Sequence, residues 1–237
     1  MADMSSSQNQ SPNTQSQEQP SGGSRYVKPE VKLNLWNTFL TNAEKIEEIH
    51  HLFTRYNHGL GMIRQTQQLH KKTQDLFTLR IREEGEDADA LKAYEKLRGD
   101  ANQRYIDTVD FAREVFDDDP GAQIALQLNG SRDTSKAGWS RQTHALYTNL
   151  LANPEYIEKM GVFGYTEESI KEEAAMVQAA IDADAEYERE TGESQTVTVE
   201  RDESFDLLNK TMQRFYKVAD KALRDYPQWR EKLGMVE

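Results

Sequence analysis

A carboxylate and an imidazole three residues apart on a helix can hold a metal ion, and this chain contains two such pairs. Glu47 precedes His50, and Glu48 precedes His51. One turn of helix places each pair on one face. The di-iron sites of ferritin-like bundles need a second Glu-x-x-His on a partner helix. None of the other three histidines has a carboxylate three residues before it, so metal binding at Glu47 and His50 is the alternative function.

Other chemical motifs in the chain are incomplete. Asp182, Asp184 and Glu186, with Glu193 at the twelfth place, follow the spacing of a calcium loop, but Tyr187 stands where the sharp turn requires Gly. The chain has no Cys, which excludes thiolate metal sites and thiol nucleophiles. It also has no Gly-rich phosphate loop after a strand. The sequence therefore predicts no catalytic residue, no enzyme activity and no cofactor.

Composition narrows the function classes further. The 237 residues carry a net charge of −12, with 30% charged and 36% hydrophobic residues. Nucleic-acid binding needs clustered Lys and Arg, which this acidic chain lacks. No apolar run approaches the ~20 residues of a spanning helix, and no secretory signal is visible. We expect a cytoplasmic protein with neither nucleic-acid binding nor membrane insertion.

The chain divides into a polar leader and two related halves. Residues 1–29 are rich in Ser, Gln, Asn, Pro and Gly, a composition that predicts disorder because little apolar surface is available for burial. We expect a first helical repeat over 30–128, a linker over 129–139 and a second repeat over 140–237. Both repeats are expected to share one domain.

The evidence for a repeat is residue matching at two places. Segment 109–128 aligns with 216–235 when Pro120 is placed on Pro227, and the matches fall at apolar and helix-ending positions. Segment 36–47 aligns with 147–158 at nearly the same offset. An internal repeat of this length determines the architecture before any motif does.

Apolar residues recur at steps of three and four through most of the chain, which predicts helices. Breaks are expected at 57–61, at 85–87, at 161–165 and at 191–194, because each contains Gly. Segment 196–199 has strand-like residues but is too short to build a sheet. The sequence therefore predicts an all-α, internally duplicated, antiparallel four-helix bundle with a long crossover and kinked or broken helices.

Segments 138–170 and 201–234 resemble a motif of uncharacterised bacterial helical proteins. The shared features are a Phe-Gly-Tyr-Thr-Glu turn at 163–167, an Arg-Asp-Glu helix from Arg201, and a Pro-Gln…Leu-Gly tail at 227–234. The first half departs from this pattern, since His58-Gly59-Leu60-Gly61 stands near the place of the turn. The resemblance implies a duplicated helical fold and no specific activity.

The absence of a complete catalytic constellation favours a structural or interaction protein that binds partner helices or itself. Four apolar side chains on a second face of their helices are the candidate contacts: Phe77, Leu79, Tyr216 and Trp229. The alternative is a ferritin-like carboxylate and histidine metal protein that uses Glu47 and His50.

Overall fold

The computed structural model describes residues 27–235, so the predicted disordered tail lies almost entirely outside the described residues. All regular structure in this range is helical, which confirms the all-α class. The α-helices are α1 (Pro29–Lys45), α2 (Glu47–Thr54), α3 (Leu60–Val115), α4 (Pro120–Ala125), α5 (Lys136–Ala152), α6 (Pro154–Met160), α7 (Glu167–Ala222) and α8 (Pro227–Lys232). A short 3₁₀ helix (Gly161–Phe163) follows α6.

Helix boundaries repeat at a fixed spacing of 107 residues. Pro29 and Lys136 begin α1 and α5, and Leu60 and Glu167 begin α3 and α7. The helices α1 and α5 both have 17 residues, while α3 and α7 both have 56. Helix α5 begins four residues before the expected start of the second repeat at 140, because Ser135 caps it by accepting a hydrogen bond from the Gly138 N–H.

The early part of the repeat has a different register from the expected one. The buried residues Phe39 and Leu40 of α1 correspond to Leu146 and Tyr147 of α5, a spacing of 107 rather than 111. The difference is four residues, about one helical turn, and a shift of one turn keeps the same residues on the same face. An alignment of apolar residues alone therefore cannot distinguish the two registers.

Two expected breaks do not occur. Residues 85–87 and 191–194 are helical, so α3 and α7 each run unbroken for 56 residues. Segment 196–199 is also helical. A Gly inside a helix costs only about 1 kcal/mol, and packing along the remainder of the helix exceeds that cost. The structure therefore contains two long helices where the sequence predicts four.

The other two breaks are confirmed. Residues 55–59 separate α2 from α3, with Asn57 at a φ of 59°. Gly164 adopts a φ of 83° after the 3₁₀ helix, a conformation that strongly favours Gly. Thr166 then starts α7 through a capping box with Ser169, as its residue type predicts.

The long helices lie antiparallel, and the short helices pack near their two ends. One core joins the C-terminal half of α3 to α4, α5, α6 and the N-terminal half of α7. The other core joins α1, α2 and the start of α3 to the C-terminal half of α7. Each core therefore contains residues from both repeats. Between the cores lies the middle of the α3/α7 pair, which we call the waist (residues 79–98 and 182–201).

None of the helices in residues 27–235 combines the length and hydropathy that crossing a bilayer requires.

Candidate functional site

The waist contains carboxylates where the ends of the molecule contain apolar side chains. Glu83 and Glu190 are 5% and 9% exposed, and they come from the two opposing long helices. One carboxylate oxygen from each of Glu83, Glu86 and Glu190 lies within 4.8 Å of the other two. Buried carboxylates are costly unless they are paired or bind a cation, so this cluster is the most unusual chemical feature of the described residues.

Two arginines neutralise part of this charge. The Arg82 guanidinium donates to Glu83 at 2.9 Å and lies 3.6 Å from Glu86. On the other helix, Arg189 pairs with Glu190 and Glu193 and also with Glu186. Each arginine binds carboxylates of its own helix, so the waist is two halves of similar design facing one another.

A five-residue segment of the waist is duplicated. Arg82-Glu83-x-Gly85-Glu86 on α3 corresponds at 107 residues to Arg189-Glu190-x-Gly192-Glu193 on α7. The flanking positions differ, with Leu-Arg-Ile at 79–81 and Glu-Tyr-Glu at 186–188. The two segments are therefore identical at four of five positions, although the residues around them differ.

Burial raises the pKa of Glu190, and the nearby Glu193, Glu186 and Glu86 raise it further, while Arg189 opposes the shift. The Oε2 atom of Glu190 is buried and has no hydrogen-bond partner. Thr191 adds a contact between the helices, since its hydroxyl donates to Asp87 at 2.6 Å. The waist is thus a polar layer that remains incompletely satisfied.

A second polar network lies inside the core that contains α5. The Thr108 hydroxyl donates to Glu173 at 2.6 Å, and the Tyr147 hydroxyl donates to the same oxygen at 3.1 Å. Tyr165 completes the chain through a 3.1 Å hydrogen bond with Thr108. The repeat counterpart of Glu173 is Thr66, so this network exists at one end of the molecule only.

This network makes stability depend on pH. Burial raises the pKa of Glu173 above its ordinary value of 4.5. The folded protein therefore retains this proton where the unfolded chain has lost it, and the group's contribution to stability falls as pH rises from about 4.5 through the folded pKa. We expect Glu173→Gln to gain melting temperature relative to wild type at pH 7 and to gain least at pH 4.

The matched control for this measurement is Glu172→Gln, which changes the exposed neighbouring residue. Thermal melts of wild type and both variants between pH 4 and pH 8 provide the comparison. A gap between Glu173→Gln and wild type that is the same at every pH would show that Glu173 has no raised pKa.

A cleft of about 680 Å³ lies between α3, α7 and the segment before α5. Its walls include Tyr94 and Tyr187, which stack with their ring planes 3° apart. The Lys136 ammonium lies 5.0 Å from the centre of one ring and 5.2 Å from the other. Lys136 also donates to Asp184 and Glu188 at 2.7 and 2.9 Å, so the positive charge in this aromatic cleft already has partners within the chain.

The structure does not assemble a metal site around Glu47 and His50. Glu47 is the first residue of α2, its side chain is 78% exposed, and it lies 3.6 Å from His51. Among the described residues, neither Glu47 nor His50 belongs to a group of three close metal-ligating side chains. The arrangement that the alternative function needs is therefore absent from residues 27–235.

The four candidate contact residues fall into two groups. Phe77, Tyr216 and Trp229 are partly buried against the core that contains α1. Phe77 packs edge-on against Phe205 at 5.9 Å. Leu79 belongs to neither core and lines grooves at the surface of the long helices. Leu79 is thus the one candidate of the four that lies outside both cores.

Sequence reasoning missed the waist, although its signal is visible. The matches that indicate the repeat are apolar or helix-ending, whereas the duplicated Arg-Glu-x-Gly-Glu segment is polar. Its Gly residues favour helix breaks, and a break there would put Glu83 and Glu190 at helix ends instead of inside a helix pair. The duplication is visible when the halves are aligned at a spacing of 107 residues.

No family model, curated protein or solved structure matches this chain.

Proposed function

We propose that this chain is a non-enzymatic helical interaction protein that binds helices through the waist of α3 and α7, with a second copy of itself as the first partner. The observation that carries the proposal is the exposure of large apolar side chains on these helices between or beside the cores. Val199 is 56% exposed and Leu97 36%, and Leu79 lies about five helical turns from Leu97 on the same face of α3. Such residues on a helix surface are typical contacts for another helix.

The grooves at this surface support the same proposal. One groove is lined only by α3 and α7 residues, among them Leu97, Met176 and Ala179. Another groove is lined by Leu79, Thr196 and Val197 together with charged residues of the waist. A pair of antiparallel helices buries fewer apolar side chains than a bundle of four helices does. If two copies of the chain dock by this surface, their long helices form a four-helix layer with a shared core.

The test is sedimentation equilibrium of full-length protein at about 100 µM, well above the micromolar Kd that corresponds to about −8 kcal/mol. We expect a dimer for wild type. Leu97→Glu and Leu79→Glu place a charge in the contact, and we expect each to shift the dissociation constant at least tenfold toward monomer, about 1.4 kcal/mol.

The matched control is Ile124→Glu, since Ile124 is 71% exposed but lies on α4 at one end of the molecule. It should leave the dimer intact. A monomeric wild type at this concentration would overturn the assignment of a second copy as partner. A dimer that Ile124→Glu weakens as much as Leu79→Glu would overturn the assignment of the waist.

A further inference from the structure

The waist places three carboxylate oxygens at the spacing of ligands around one cation. The oxygens of Glu83, Glu86 and Glu190 lie within 4.8 Å of one another. Calcium ligands lie about 2.3–2.6 Å from the ion, so two of them can be at most about 5.2 Å apart. Any two of the three oxygens are therefore close enough to share one ion.

One of these glutamates also has an unused oxygen. Glu190 is 9% exposed, and its Oε2 atom is buried without a hydrogen-bond partner. A buried polar atom without a partner costs about 1–3 kcal/mol, and more when it is charged. Arg189 pairs with the other oxygen of Glu190, so Oε2 remains free to bind a cation.

The charges of the duplicated segments favour a divalent ion. Together they contain five glutamates and two arginines, which leaves three negative charges. The arginines hold Glu83 and Glu190 in place by donating to one oxygen of each carboxylate, as groups behind metal ligands commonly do. Ligands that are all oxygen select hard cations over those that prefer nitrogen or sulfur.

The duplication is independent of these distances. The five-residue segment has kept four identities between the repeats while the flanking residues diverged. Apolar packing does not account for the identities, because the matched side chains are charged and the two Gly positions face open space. A ligand bound by both five-residue segments would account for the identities and for their polar character.

We propose that the waist binds one hard divalent cation of calcium's size through Glu83, Glu86 and Glu190, and that this ion joins the middles of α3 and α7. The site differs from the Glu47 and His50 pair in residues and in ligand chemistry. Its action is structural: the ion neutralises the carboxylate cluster and replaces repulsion between the two helices with a shared ligand.

The experiment titrates untagged full-length protein, freed of metal by chelation, with Ca²⁺ alone and with Mn²⁺ alone in a calorimeter. We expect one ion per chain and a higher melting temperature when the ion is present. Glu190→Gln should abolish binding, and Glu83→Gln should weaken it at least tenfold. The control Glu47→Gln should bind as wild type does.

Glu86→Gln keeps the proposal testable if a buried variant fails to fold, because the Glu86 side chain is 51% exposed. We expect it to weaken binding at least tenfold while circular dichroism shows native helix content. Absence of binding heat and of any melting shift with millimolar Ca²⁺ and Mn²⁺ would overturn the proposal. Equal affinity in wild type and Glu86→Gln would also overturn it.

Discussion

Phe215→Ala is expected to destabilise the protein by about 3–5 kcal/mol, as is usual for removal of a fully buried Phe. Phe215 is 0% exposed and lies among rings in the core that contains α1. Its ring centre lies 6.1 Å from that of Phe39 and 6.4 Å from that of Phe53. The variant therefore leaves a cavity at the meeting point of α1, α2 and α7.

The loss should be confined to one end of the molecule. The two cores are joined through the waist, where few apolar side chains are buried. A packing defect in one core is therefore expected to have little effect on the other core. Hydrogen exchange in Phe215→Ala should accelerate in α1, α2 and the C-terminal half of α7. Exchange in α5 and α6 should remain near the wild-type rate.

Phe116→Ala is the matched control, because Phe116 is also 0% exposed and belongs to the core that contains α5. Its hydrogen exchange should show the opposite distribution, with faster exchange in α5 and α6 and little change in α1 and α2. Uniform acceleration through the whole chain in both variants would show that the two cores unfold as one unit.

The double variant Gly85→Ala/Gly192→Ala is expected to stabilise the protein by about 2 kcal/mol, since Ala is favoured over Gly by about 1 kcal/mol at each helix-interior position. Both residues are exposed and helical. A Cβ atom at either position meets nothing within 4 Å. No contact in the structure therefore opposes the gain in helix propensity, and urea denaturation measures it directly.

Gly164→Ala provides the opposite control. Gly164 has a φ of 83°, where a Cβ is strained, so this variant should lose stability. If Gly85→Ala/Gly192→Ala also loses stability, the waist requires Gly for a reason that lies outside local helix geometry. A gain in stability together with weaker Ca²⁺ binding would instead indicate that the Gly residues serve the ion site.

Local sequence rules predicted the parts of the fold that depend on neighbouring residues. The seam from Leu208 through Met212, Phe215 and Ala219 is buried as its periodicity indicates. Thr166 caps α7 and Gly164 takes a positive φ. These features depend on side-chain spacing and backbone preference, both of which are readable over a few residues.

Features that depend on distant packing were not predictable in this way. Gly85 and Gly192 each raise the free energy of the helix by a small amount that is set locally. Packing between the 56-residue helices offsets this cost, and that packing depends on residues far away in the sequence. The partners of Glu83 and Glu190 lie across the waist, where antiparallel alignment brings together residues far apart in the chain.

The sharing of each core by both halves has a consequence for what one half could do alone. Neither half can form either core by itself, because each core takes its long helices from both halves. We therefore expect an isolated half to bury its apolar faces only by pairing with a second copy. Within one polypeptide the two ends can differ, as Glu173 and Thr66 do at equivalent places.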